Sequence, residues 1–298
     1  MKKRWIRLVC IILAVCFYAV LAMGSSPSGG ETESTQEETE EQVERTYTIA
    51  DEIIVDNEYC TFKIVKAEVD ELWGFQLRAF CENKTEDKTL MFTLDGVSVN
   101  GYMCDPFYAS EVASGKKSNG TINFYDFLEE METPMADEIV FTLRVYNSDD
   151  WSEDDIVNER FVIYPTGLSE DEIEYPERRT TETEKVLVDD ENITIVVLDT
   201  EVDDFWGYTV NCYFENKTDK LLMFSWDDVS VNGFMIDPFF AARVTPGMRC
   251  YTSASFSDSD FEENGITSVE EIEFLMRVFD YDDWFADALY SNVETYKP

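Results

Sequence analysis

The sequence contains no histidine, and only 23 Lys and Arg stand against 63 Asp and Glu, a formal net charge of −40 over 298 residues. Without an imidazole, Ser-His-Asp and Cys-His catalysis and His-ligated metals are excluded. The shortage of basic side chains excludes a nucleic-acid footprint, because a chain this acidic repels duplex phosphates and anionic lipid surfaces alike. Long apolar runs are missing except for one at the amino terminus. What is present is 44% hydrophobic and 14% aromatic residues, ample for packed cores, in a length that suits about two domains.

Lys2, Lys3, Arg4 and Arg7 precede the apolar run from Leu8 to Met23, and Gly24, Ser25 and Ser26 follow it. A basic start, an apolar stretch and small residues form the pattern of a secretory signal with a cut after Gly24. The run has 16 residues, short of the roughly 20 that span a bilayer, so a retained anchor is the second reading. A lipoprotein cut before Cys16 is disfavoured by Val15 and by the apolar residues beyond it. Residues 1–24 are therefore expected to be a signal peptide or membrane anchor, with the rest of the chain outside the cytoplasm. Membrane contact is expected only through residues 1–24, if they remain uncleaved. Residues 25–46 are Ser, Gly, Thr and Glu with almost nothing to bury, which predicts a disordered acidic linker.

The remainder is written twice. CENKTEDKTLMFTLDGVSVNGYMCDPF, from Cys81 to Phe107, matches FENKTDKLLMFSWDDVSVNGFMIDPF, from Phe214 to Phe239. Trp73-Gly74 matches Trp206-Gly207, Asp149-Asp150-Trp151 matches Asp282-Asp283-Trp284, and Pro165 matches Pro298, at an offset of 132 or 133 residues. That period is far too long for a solenoid and predicts tandem domains. Their expected bounds are 47–165 and 186–298, with residues 166–185 as a linker resembling the first.

Strand signals dominate each copy. Cys60, Phe62 and Ile64 alternate with polar positions, as do Phe75, Leu77, Ala79 and Cys81, and then Phe141, Leu143 and Val145; a period of two marks half-buried strands. Asn100-Gly101 and Asn232-Gly233 accept positive φ at both turn positions and predict two-residue hairpins. Asn83 and Asn216 read as ordinary turn formers. One helix is expected over Ser259 to Gly265, from its acidic first turn and its Asn-Gly stop. Seven or eight short strands per copy predict an all-β chain of two antiparallel sandwiches.

The motifs NKT-D-K-x-LMF, DGVSVNG or DDVSVNG, the DPF loop, and LRVYNSDDW or MRVFDYDDW resemble those of immunoglobulin-like domains in secreted and lipoprotein-type proteins of Gram-positive (Firmicutes) gut bacteria. The resemblance spans both copies and implies two tandem immunoglobulin-like β-sandwiches. It brings no activity with it, and the Cys…Trp…Cys signature of antibody-type domains is missing, so it speaks to architecture alone.

Of seven Cys, Cys10 and Cys16 lie in the leader, and the other five occupy positions that the copies do not share. Most are replaced by apolar residues in the other copy, which suits buried free thiols, with a Cys60–Cys81 bridge as the alternative. Asp149, Asp150, Asp282 and Asp283 offer hard oxygen ligands beside a Trp, a weak calcium site or else a solvated turn. Trp73, Phe107, Trp151, Trp206, Phe239 and Trp284 form a candidate interaction surface if exposed, and corner packing or an end plug if buried. Arg144 and Arg277 suit local ion pairs better than an anion site. No catalytic constellation emerges and no cofactor is required. The expectation is an exported, non-catalytic protein of the cell surface or medium, whose two modules bind a protein or glycan partner. An envelope-structural protein without a soluble ligand and a calcium-dependent binding module are the rivals. Exposure of those aromatics separates binding from a purely structural role.

Overall fold

A computed structural model describes residues 45–203, 207–238, 240–283 and 285–298. The expected leader, nearly all of the first acidic linker, and Trp206, Phe239 and Trp284 lie outside the described residues. Among the described residues, no helix is long and apolar enough to cross a membrane. Arg45–Pro298 forms one compact unit.

The unit is built of strands, nine from each copy. The first copy supplies β1 (Ala50–Asp56), β2 (Cys60–Asp70), β3 (Gly74–Asn83), β4 (Leu90–Val99), β5 (Tyr102–Met103), β6 (Ala109–Val112), β7 (Lys117–Asn123), β8 (Ile139–Asn147) and β9 (Val157–Ile163). The second repeats them one for one as β10 (Lys185–Asp189), β11 (Ile193–Asp203), β12 (Gly207–Asn216), β13 (Leu222–Val231), β14 (Phe234–Met235), β15 (Ala242–Val244), β16 (Arg249–Phe256), β17 (Ile272–Asp280) and β18 (Tyr290–Tyr296). Within the first copy, β1-β2-β3-β7 and β5-β4-β8-β9 form two antiparallel layers, with β6 also on β4; the second copy repeats that pairing. The bulges repeat too: between Ile64 and Lys66 as between Val197 and Asp199, and between Asp95 and Ser98 as between Asp227 and Ser230.

The alternation read from sequence is what fills the sandwiches. Cys60, Phe62, Ile64, Leu77, Phe92, Phe141 and Leu143 are buried together, and Val197, Phe214, Phe224, Phe256, Phe274 and Met276 form the corresponding cluster of the second copy. The chain enters and leaves the first copy at one place, where the amides of Thr48 and Ile49 both donate to the carbonyl of Pro165, at 2.8 and 3.1 Å. Both Asn-Gly pairs make the expected hairpin turn: φ is 49° and 79° at Asn100-Gly101, and 51° and 84° at Asn232-Gly233. The expected helix is present as α2 (Asp258–Asn264), capped by Ser257 and stopped by left-handed Gly265; a shorter helix, α1 (Phe127–Glu130), was not expected. All five described cysteines are free. Cys60 sits opposite Asn83 and Cys81 opposite Phe62, so the alternative bridge is not formed. Burial pushes the Cys60 and Cys81 thiols up to about 11, which keeps them protonated and unreactive at neutral pH.

The segment 166–185 is not the free spacer its composition suggests. The Tyr175 hydroxyl donates to Glu138 at 3.0 Å, and the Pro176 carbonyl accepts from the Tyr102 hydroxyl at 2.9 Å and from Arg249 Nη1 at 3.0 Å. Arg178 makes a two-pronged pair with Glu184, and the Arg179 amide donates to the Tyr251 hydroxyl at 2.7 Å. This strap covers a joint between the copies. Strand β16 lies parallel to β5, with Arg249 opposite Tyr102, and the Arg249 amide donates to Gly101. Tyr102 stacks on Tyr251 with centroids 5.5 Å apart and rings 2° from parallel, and the guanidinium of Arg249 lies 5.4 Å above Tyr102.

Glu138 is a cost within this joint. Burial holds its carboxyl above the usual range, against the donated Tyr175 hydrogen bond that favours its ionised form. A carboxyl raised in the folded state opposes folding as pH rises past its unfolded value; the penalty is complete above the folded value and vanishes where the group is protonated in both states. Glu138→Gln keeps an acceptor for Tyr175 and removes the charge. The variant is expected to raise the melting temperature at pH 7 by roughly 2–4 °C and to leave it unchanged at pH 3, as followed by calorimetry.

Candidate functional site

The turn between β2 and β3 is built to throw apolar side chains outward. Asp70 Oδ1 accepts from the amides of Leu72 and Trp73 at 2.8 and 3.0 Å, an Asx turn that closes the tip. Gly74 follows at φ +68°, where a Cβ would lie 2.0 Å from the Tyr125 carbonyl oxygen, so only glycine lets the two backbones touch. The bridge between Gly74 and Tyr125 brings Tyr125 beside Trp73, with ring centroids 6.3 Å apart, edge to face. Trp73 is 51% exposed, Tyr125 50% and Leu72 77%. The second copy repeats the backbone: Gly207 has φ +76°, and its Cβ would lie 2.3 Å from the Phe256 oxygen. Val202 is exposed there as Val69 is in the first copy.

The loop from Cys104 to Tyr108 runs past the same end. A cleft of about 280 Å³ lies between Cys104, Asp105 and Pro106 on one side and Asn123, Phe124 and Glu130 on the other, with Tyr125 on its rim. The Oδ1 atom of Asn123 is buried with no hydrogen-bond partner among the described residues. Of the two aromatics in this loop, one plugs the end and the other does not. Tyr108 is buried against Phe62 and Cys81, whereas Phe107, the ring before it, is 82% exposed. In the second copy Phe240 takes the Tyr108 role against Phe214 and Trp226.

Trp151 is 73% exposed, and its ring rests against Tyr146 of the sandwich. It stands on a ladder in which its ring lies 5.1 Å from that of Tyr146 and the Arg144 guanidinium lies 4.5 Å over Tyr146. Trp151 does not join the Trp73 patch. Residue Leu90 pairs with Asn147, and Glu82 with Lys117, so the β8–β9 loop shares an end with the β3–β4 turn. Trp73, at the far end of β3, lies at the opposite pole.

The acidic loops spend their carboxylates locally. Asp149 Oδ2 accepts the Thr89 amide at 2.9 Å, Asp150 Oδ1 accepts both the amide and hydroxyl of Ser152, and Glu153 pairs with Lys88 at 2.6 Å. The Ser152 bonds hold Asp150 below its ordinary range. In the second copy Asp280 pairs with Lys220 at 2.9 Å and caps the Asp282 amide, while Asp283 caps that of Phe285. Among the described residues, no group of three acids or cysteines is arranged to hold a metal ion. Arg144 pairs with Asp155 at 2.8 Å and Arg277 with Asp227 at 3.1 Å, the local ion pairs the sequence suggested.

No family model and no curated protein matches the chain. Among solved structures, the exo-chitosanase CsxA of Amycolatopsis orientalis matches at 9% identity and a TM-score of 0.23, over 75% of this chain and 25% of that one. A complex of a variant of the same enzyme with PNP-beta-D-glucosamine matches at 8% identity and a TM-score of 0.21. The chain thus spans about a quarter of the length of the structures it matches. Likenesses of this size carry no functional information.

Proposed function

We propose that the chain is an exported, non-catalytic protein that presents two immunoglobulin-like sandwich modules for binding, with the Trp73 end as the contact surface. The observation that carries this reading is the pair Trp73 and Tyr125, half-exposed on a tip that an Asx turn and an obligatory glycine lock in place. A protein that buried its shared aromatics would fit a purely structural role better. A fixed aromatic beside a cleft lined by the carboxylates of Asp105 and Glu130 suits a ligand that has both an apolar face and hydrogen-bond donors. A glycan has that chemistry: its CH face stacks on an indole while its hydroxyls donate to such acceptors. No observation favours the calcium-dependent alternative, since Asp149 and Asp150 are engaged by turn donors. The test is a screen of cell-wall polymers and host glycans followed by tryptophan fluorescence. Trp73→Ala is expected to weaken the bound ligand roughly 10- to 100-fold without moving the melting temperature. Binding that is indifferent to Trp73→Ala, or no binder in either class, would overturn the proposal.

A further inference from the structure

The joint between the copies has two unlike faces, and each copy uses only one of them. The first copy gives the β4–β5 face: Gly96, Tyr102, Met103 and Val140. The second gives the outer edge of β16 and the turn before it, Thr245 to Met248. Met103 and Val140 pack into the second copy's cluster, to which Met248 belongs, and Tyr102 stacks on Tyr251. By repeat correspondence, the second copy carries its own β4–β5 face at Asp228, Phe234, Met235 and Glu273. The first copy carries its own turn and edge at Ala113 to Lys117 and β7. Among the described residues nothing pairs with the outer edge of β14 or of β7, both terminal strands of their sheets. Phe234 is 45% exposed, where its counterpart Tyr102 is 1% exposed in the joint, and Met235 is 66% exposed, where its counterpart Met103 is partly buried. Asp228, Glu273, Ala113, Lys116 and Lys117 are exposed too.

We infer that a second copy of this chain docks on the Phe234–Met235 face, head to tail, through the β6–β7 turn and the outer edge of its first sandwich. The internal joint is the template, and the residues that differ from it differ in matched pairs. In the joint, Gly96 sits against Thr245, whose Cγ2 would lie 2.7 Å from a Cβ at that position. In the free faces Gly96 becomes Asp228 and Thr245 becomes the smaller Ala113. Val140 and Met248, buried in one cluster, become Glu273 and Lys116. Arg249 becomes Lys117, which also reaches Glu82 at 3.1 Å. One free face is thus acidic around an apolar centre, and the other is a basic turn in a chain poor in basic residues. Such complementarity sets register and partner choice. A heterologous contact of this kind is not self-complementary, so repetition adds molecules head to tail instead of stopping at a two-fold dimer. The strap from Tyr175 to Arg178 helps the internal joint, and the net negative charge opposes the external one. The contact is therefore weak, with a dissociation constant on the order of 0.1–1 mM, as befits a small interface.

The test uses Arg45–Pro298, which holds both cores, in sedimentation equilibrium near physiological salt. The weight-average mass is expected to rise above the monomer value with concentration. Met235→Lys and Lys116→Glu are each expected to weaken association at least roughly tenfold, and Lys116→Glu combined with Glu273→Lys to recover it. All three positions are exposed, and unchanged melting temperatures confirm that the variants fold. A mass that stays monomeric up to the solubility limit, association indifferent to Met235→Lys, or a double variant no better than Lys116→Glu alone would overturn the inference.

Discussion

Replacing Asn83 by Ala is expected to destabilise the first sandwich by about 2–4 kcal/mol, because four hydrogen bonds vanish and the buried Val112 carbonyl loses this donor, while the part-buried Lys88 carbonyl keeps the Thr85 hydroxyl at 3.1 Å. Asn83 is 1% exposed. Its Nδ2 donates to the carbonyls of Lys88 and Val112, each at 2.8 Å, and its Oδ1 accepts the amide and hydroxyl of Thr85 at 2.9 and 2.7 Å. One amide side chain therefore ties the β3–β4 turn to the end of β6. Asn216 does the same in the second copy, donating to Lys220 and Val244 at 2.7 and 2.9 Å and accepting from Thr218. Asn216→Ala is expected to show an equal loss. Small domains have only about 5–15 kcal/mol in hand, so either loss is a large fraction of the total. Chemical denaturation of both variants, read by tryptophan fluorescence, measures it. A loss below about 1 kcal/mol would mean that the turn reorganises around the missing amide.

The second large effect is expected at the joint. Gly96→Asp installs the residue that the second copy carries at the same bulge, where Asp228 sits at φ 49° against 56° for Gly96. The backbone therefore accepts the change, and the penalty comes from the Thr245 methyl at 2.7 Å from the new Cβ. Thr245 clears the new Cβ either by rotating its side chain, which breaks the hydrogen bond from its hydroxyl to Met103 Sδ at 3.2 Å, or by carrying its turn away from the first copy. The variant is expected to keep both sandwiches folded while the copies separate. Small-angle scattering should report a longer particle, and NMR relaxation two independently tumbling bodies. Adding Thr245→Ala, which mimics the Asp228 and Ala113 pairing, should restore the compact particle in part. A scattering profile identical to the parent's would show that the joint tolerates the side chain and that Gly96 is not what permits docking.

The features legible in sequence are those set by local chemistry. Cys60, Phe62 and Ile64 alternate because one face of β2 meets a core, and the Asn-Gly turns follow from positive φ at both positions. Strand β1 leaves no mark in the sequence because most of its residues are exposed, so no alternation sets it apart. The joint was illegible for a different reason. Tyr102 and Phe234 occupy the same hairpin position, and only a surface more than a hundred residues away buries one and leaves the other in water. Trp73 was ambiguous because an indole after two acids suits corner packing as well as display. The Asp70 turn and the contact of Gly74 with Tyr125 decide it, and neither is visible until the backbone closes. The role of Asn83 as a tie between loops shows in the sequence only as its recurrence in both copies beside a Thr two residues on, a pattern that an ordinary turn shares.

The meeting of Thr48 and Ile49 with Pro165 bears on how the molecule carries tension. A pull applied through the preceding segment and through the strap enters and exits the first sandwich at neighbouring points. The load crosses two hydrogen bonds instead of running down the strands, so the terminal strands would peel away one bond at a time before any sheet is sheared. A module threaded this way gives early and absorbs length, as a spring clip does, whereas one threaded end to end holds rigid until it ruptures.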